Sequence, residues 1–315
     1  MGLIYREEKR QNTYQRYMMV TYQYTSEIEL RKALLDEIVR AAGLPLNNFW
    51  RKFVEMIFWL PINRFSKLGS YFDQMVYQHG FSKAVDISLK LLINDIVVLG
   101  EVKAPATGPL LVVSNHPGTY DALCLAAKLP RDDVKIVSSN ISFLKNMKNV
   151  NSHFLFASID SYVRMLVIRH AIRHLEKGGA LIIFPSAHMD PEPSCMPGAM
   201  EALDEWSRSI EIFIQKVPST VVQVAVVSRV LTSRYLSHPL TRLRKGRRER
   251  QRIAEFMQII HQMIYRRKFN QTPLVSFAEP FKSSDIGPDD KIDRVLPYAI
   301  NQAKQLMVAH LPENY

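Results

Sequence analysis

The 315-residue chain is short of cysteine and of glycine, and it has no long apolar run. Cys124 and Cys195 are its two cysteines, too few for a disulfide framework at this length, so a reducing compartment is expected. No stretch reaches the roughly 18 uninterrupted apolar residues that span a bilayer. The nearest approach, residues 53–60 ("FVEMIFWL"), contains Glu55 and stops at Pro61. The opening "MGLIYREEKRQNTYQRYMM" has no apolar core and no small-residue cleavage site, so no secretory signal is expected. There is no repeat, no Gly-, Ser- or Pro-rich linker, and no glycine loop of the Walker or dinucleotide type. These absences point to a cytoplasmic protein that does not cross a membrane but can lie on one.

What the chain has in excess is positive charge. Lys and Arg number 41 against 30 Asp and Glu, a net charge of +11. Much of the excess is local. Residues 241–252 ("TRLRKGRRERQR") hold Arg242, Arg244, Lys245, Arg247, Arg248, Arg250 and Arg252 with one acid, Glu249. Such a stripe attracts phosphate on an anionic membrane surface, on an acidic carrier or on nucleic acid. It is equally what a solvated helix face looks like.

Residues 1–93 read as a helical region. Ser26 with Glu29 three positions on forms a capping box, and Gly43 supplies a stop. Further helices are expected over 47–60, 65–77 and 82–92. The region is rich in rings, among them Phe49, Trp50, Phe53, Phe58, Trp59, Phe65, Tyr71 and Phe72, interleaved with Arg51, Lys52, Arg64 and Lys67. Rings and bases on amphipathic helices suit either a membrane interface or packing within a helical bundle and cover of the next domain.

From residue 94 the pattern changes to strands alternating with helices. Strands are expected at "IVVLGEV", "LLVVS", "VKIVSS", "ALIIFP", "VVQVAVVS" and "PLVSFAEPF". Helices are expected over 120–128, 161–177, 198–216, 248–265 and 293–309. The fold class is therefore α/β, a largely parallel central sheet flanked by helices and preceded by the N-terminal helical region, with 94–315 as the α/β domain.

Chemistry concentrates at "LLVVSNHPGTYDALCL". A buried strand empties into a polar turn, and such loops at the carboxyl ends of strands carry function in sheets of this class. Pro117 and Gly118 force the chain to turn after His116, and Asp121 falls in the first turn of the next helix. A carboxylate bonded to one imidazole nitrogen fixes the tautomer and leaves the other as a base. The competing reading is a structural histidine with a satisfied hydrogen bond. No serine or cysteine nucleophile stands out. Cys124, one turn after Asp121, reads as a small residue packing helix on sheet. His170 and His174 have metal-ligand spacing on one helix face but no third ligand, so no metal is expected.

Asn-His-x4-Asp after a buried strand, followed about 70 residues later by "HLEKGGALIIFPSA" and then by "VVQVAVVS" and "PLVSFAEPF", resembles the glycerolipid acyltransferase superfamily, typified by lysophosphatidic acid acyltransferases. The resemblance covers about residues 94–285. It implies an O-acyltransferase that moves a fatty acyl group from acyl-CoA or acyl carrier protein to a hydroxyl of a glycerolipid precursor. His116 is then the general base, Asp121 orients it, and no acyl-enzyme forms. The acyl donor is a co-substrate and no cofactor is implied. Substrate-binding candidates are Asn115, Gly118, Arg164, Phe184, Pro185, Ser186 and His188. The family usually has Glu-Gly-Thr-Arg after Phe-Pro; here Ser186 and Ala187 stand in place of Glu-Gly, with His188, Asp190 and Glu192 beyond. That departure leaves the acceptor open. Two other readings stay beside this one: a non-catalytic lipid-binding relic of the same fold, and a nucleic-acid-binding protein, for which no recognition motif is present.

Overall fold

The computed structural model describes residues 25–266, 272–286 and 292–312. The opening residues searched for a signal lie outside them. Helix α1 (Glu27–Ala41) starts where Ser26 accepts the Glu29 N–H, and Gly43 beyond it takes the left-handed conformation. Helix α2 (Asn48–His79) runs through both segments expected as separate helices, 47–60 and 65–77. The discontinuity survives as a kink. Phe58 leaves helical geometry three residues before Pro61, whose ring clashes with the carbonyl one turn back and which has no N–H to donate. Leu35 and Val39 of α1 pack on Val54 and Ile62 of α2, and Arg51 makes a paired bond to Asp36 at 2.7 and 3.0 Å. Helix α3 (Phe81–Leu89) follows at once.

The central sheet has seven strands: β1 (Val97–Leu99), β2 (Leu110–Ser114), β3 (Val134–Ser139), β4 (Phe154–Ala157), β5 (Ala180–Ile183), β6 (Val221–Ser228) and β7 (Leu274–Phe277). Their order is β1-β7-β6-β2-β5-β3-β4, and every pairing is parallel except β6 with β7. Edge strand β4 is an addition to the sequence expectation.

Both faces of the sheet are covered, which explains strands apolar at every position. On one face Leu110 and Val112 of β2, Ile182 of β5 and Val227 of β6 pack with Phe72, Phe81 and Leu89 of the N-terminal helices and Leu125 of α4 (Asp121–Lys128). The helical region thus shares a core with the sheet. On the other face Leu111, Val113, Leu181 and Val224 pack with α5 (Ser161–Glu176), α6 (Ser209–Lys216) and α8 (Val295–Met307). The helix expected over 198–216 is divided: a tight turn at Glu201–Glu205 precedes α6. Helix α7 (Arg247–Tyr265) crosses the first face, and Arg64 of α2 donates to its last carbonyls, Met263 and Ile264.

The first half of α2 leaves Phe49, Phe53, Met56, Ile57 and Trp59 exposed, between 42% and 72%. Trp50 and Phe58 are tucked against α1 instead. Among the described residues no helix is long and apolar enough to cross a membrane.

Candidate active site

Three adjacent parallel strands, β5, β2 and β6, end side by side, and the loops that leave their carboxyl ends build one site. The β2 loop supplies His116. Its Nδ1 lies 2.7 Å from Asp121 Oδ2, with Asp121 fully buried at the first position of α4. The same carboxylate accepts the Gly118 N–H at 3.1 Å and the Ala122 N–H, so it is held from three sides. The His116 ring stacks on Phe184 at the end of β5, 4.5 Å between centroids. Its Nε2 has no hydrogen-bond partner among the described residues, and the side chain is 31% exposed. One nitrogen is fixed and the other is free.

The β5 loop closes over this one. Asp190 accepts the His116 N–H at 2.8 Å and returns its own N–H to the His116 carbonyl at 2.8 Å. Ser186 Oγ lies 2.9 Å from the His188 carbonyl and 3.2 Å from the Asp190 carboxylate. His188 Nε2 reaches Glu205 at 2.8 Å, and its Nδ1 stands 3.6 Å from Asp190. Ser186 and His188 therefore brace the loop that pins His116, and Pro185 accepts the Ser207 N–H. Burial raises the proton affinity of Asp190, against its hydrogen bonds from His116 and Ser186.

Asn115 spends its amide on the sheet: it donates to the Val227 carbonyl at 2.9 Å and accepts the Val227 N–H at 2.8 Å. It locks β2 to β6 at the base of the site. Glu192, fully buried, gathers the N–H groups of Arg229, Val230 and Leu231 and so shapes the β6 loop. Arg164 is exposed near the start of α5, which follows edge strand β4, three strands away from β2. No described contact joins it to His116. His174 turns its Nε2 to the carbonyls of Asp133 and Ala180 at 2.8 and 3.0 Å. Cys124 is fully buried, and burial beside Asp121 pushes its thiol far up, which suits packing and not nucleophilic attack.

Two groups escaped the sequence reading. Glu255 of α7 is buried and accepts the Thr119 N–H at 2.7 Å. Gln251, one turn earlier, donates to the Pro117 carbonyl at 2.8 Å and the Asp190 carbonyl at 2.7 Å. A Cβ at Gly118 would stand 2.6 Å from the Glu255 carboxylate and 3.1 Å from Val230 Cγ2, so a larger residue there would have to shift the Glu255 side chain. The signal was present as polar residues at helical spacing (251, 255, 258, 262) on what would otherwise be the core face of α7.

Three carboxylates thus surround one imidazole. Burial lowers the proton affinity of His116, but Asp121, then Glu255 and Asp190, more than reverse it and push the ring up to about 9. Burial in turn pushes Glu255 up to about 7.

A buried imidazole–carboxylate pair at the mouth of a parallel sheet, with a free nitrogen beside an open face, is the arrangement of a general base. Residues 95–209 match the family model Acyltransferase. This part of the chain is similar to an acyltransferase domain. The match agrees with the glycerolipid acyltransferase resemblance and contains His116, Asp121, Phe184 and Asp190; Gln251 and Glu255 lie beyond it. Among solved structures the chain is similar to the 1-acyl-sn-glycerophosphate (LPA) acyltransferase PlsC from Thermotoga maritima, with 14% identity, 90% of this chain and 98% of that chain covered, and a TM-score of 0.41.

Proposed function

We propose that the acyltransferase domain moves a fatty acyl group from a thioester, acyl-CoA or acyl carrier protein, to a hydroxyl of a glycerolipid precursor. The observation that carries this is the His116–Asp121 bond of 2.7 Å with Nε2 left free. Nε2 takes the proton of the acceptor hydroxyl as its oxygen forms a bond to the thioester carbonyl carbon. Asp121 stabilises the imidazolium that results. The tetrahedral intermediate then breaks its C–S bond, and the leaving thiolate takes the proton back from His116. No enzyme nucleophile is needed, and Cys124 is placed where it cannot serve as one.

We place the protein at the cytoplasmic membrane surface. The exposed rings of α2 and the exposed Arg242, Arg244, Lys245, Arg248, Arg250 and Arg252 support this reading: the rings suit the headgroup region and the bases attract anionic lipid.

The test combines turnover with surface preference. Long-chain acyl-CoA and acyl carrier protein are each offered with phosphorylated and unphosphorylated lipid hydroxyls, and release of thiol is followed. At least one donor–acceptor pair is expected to turn over, and the productive pair identifies the acceptor. Co-sedimentation should favour anionic over neutral vesicles and survive competition by DNA. No turnover with any pair would leave the lipid-binding relic, and preference for DNA would favour the nucleic-acid reading.

A further inference from the structure

Helix α7 is basic outside and polar inside. Its inner residues Gln251, Glu255, Gln258 and Gln262 are all buried, and each bonds to a site loop or to the chain beside it. Gln251 holds Pro117 and Asp190. Gln258 accepts the Thr232 N–H and donates to Val230. Gln262 donates to the Leu92 carbonyl and accepts the Tyr120 hydroxyl at 2.7 Å. Three of the four are neutral amides, which satisfy backbone groups without placing charge in the interior. Glu255 alone can ionise, and it is the one beside the turn between His116 and Asp121. Thr119 gives Glu255 both its N–H and its hydroxyl, and a glutamine oxygen, with two lone pairs, could accept both, so these bonds alone do not call for an acid. Burying a carboxylate without a cation partner is costly. The positive charge that acts on it is that of the His116 ring, and the attraction between the two is among the forces on both.

We propose that Glu255 is a positioning residue of acyl transfer: a carboxylate separate from Asp121 that acts on the His116 proton from α7 while bracing the turn through Thr119. The inference rests on the reading of His116 as the base. It makes His116 a stronger base and stabilises the imidazolium formed as the acceptor hydroxyl is deprotonated.

The other charged and titratable groups here are accounted for. Asp121 faces His116 from α4 and Asp190 from the β5 loop. His188, Glu205 and Arg247 lie behind Asp190, the last donating to the Met189 carbonyl. Tyr120 lies on the Glu255 side, and its hydroxyl is committed to Gln262.

Imidazole ¹⁵N shifts of His116 are followed against pH in the wild type and in Glu255→Gln, with the signal assigned by its loss in His116→Gln. The wild-type midpoint is expected near 9. In Glu255→Gln it should fall by roughly one pH unit, the scale of one nearby charge. The acid limb of kcat/KM should move the same way with KM unchanged. Coincident midpoints overturn the proposal, because a bracing role alone would lower the melting temperature without moving them. A midpoint that moves while no acyl transfer occurs supports the coupling and counts against the acyl-transfer reading. An unmoved midpoint with His116-dependent transfer does the reverse. Should Glu255→Gln fail to fold, the wild-type curve decides: a second inflection near pH 7, where Glu255 takes up its proton, supports the coupling, and a single step overturns it.

Discussion

His116 and His310 both lie within reach of the β6 end of the sheet, and their surroundings differ in kind. His116 has carboxylates about it, one nitrogen bonded to Asp121 and the other free. His310 is 2% exposed and lies between two hydroxyls, Ser228 at 2.7 Å from Nδ1 and Ser276 at 2.7 Å from Nε2. A neutral ring has one donor and one acceptor, and two hydroxyls satisfy both. Burial, with Arg229 nearby, pushes His310 down to about 4, while His116 is pushed up to about 9. One ring is a strut that ties β6 to β7 and never needs a charge. The other is built to gain and lose a proton. Neighbours, not burial, decide which of the two buried histidines holds a proton.

The contrast can be broken first at Asp121. Asp121→Asn keeps the size of the side chain but removes the charge that holds the imidazolium, and kcat should fall by about 10²-fold, read by thiol release. The corresponding change at the strut should leave kcat alone. His310→Ala strands two buried hydroxyls and should cost roughly 1–3 kcal/mol of stability, read by denaturant unfolding, with kcat unchanged at temperatures where the fold persists. The smallest expected effect is on the pH dependence of that stability. The folded-state affinity of His310 is depressed from 6.5 to about 4, so its contribution is fully present above pH 6.5 and is lost as pH falls through 4. His116 has the opposite sign: its contribution is present below pH 6.5 and is lost as pH rises through 9. His310→Ala should therefore flatten the acid side of the stability profile and leave the alkaline side as it was.

The fold was legible where apolar pattern and period agree. Strands such as "LLVVS" and "VVQVAVVS" announce burial on both faces, and the parallel sheet follows from their alternation with helices. Strand β4 was not legible, because four residues between a tight turn and the Asp160 cap carry too little pattern. The two halves of α2 read as separate because Pro61 usually ends a helix, whereas here packing on α1 carries the helix through a kink. At the site, His116 and Asp121 were legible because the turn that joins them is local. Asp190 and Glu255 reach the same loop from 74 and 136 positions away in the chain, and no local rule brings them there.

The central claim is that the free nitrogen of His116 takes the acceptor proton. Its most direct test is acyl transfer by His116→Ala, folded as judged by a cooperative melting transition above the assay temperature, with the donor and acceptor that the wild type uses. The account predicts a loss of at least ~10²-fold in kcat. Transfer at the wild-type rate would contradict it and remove the general base from this site.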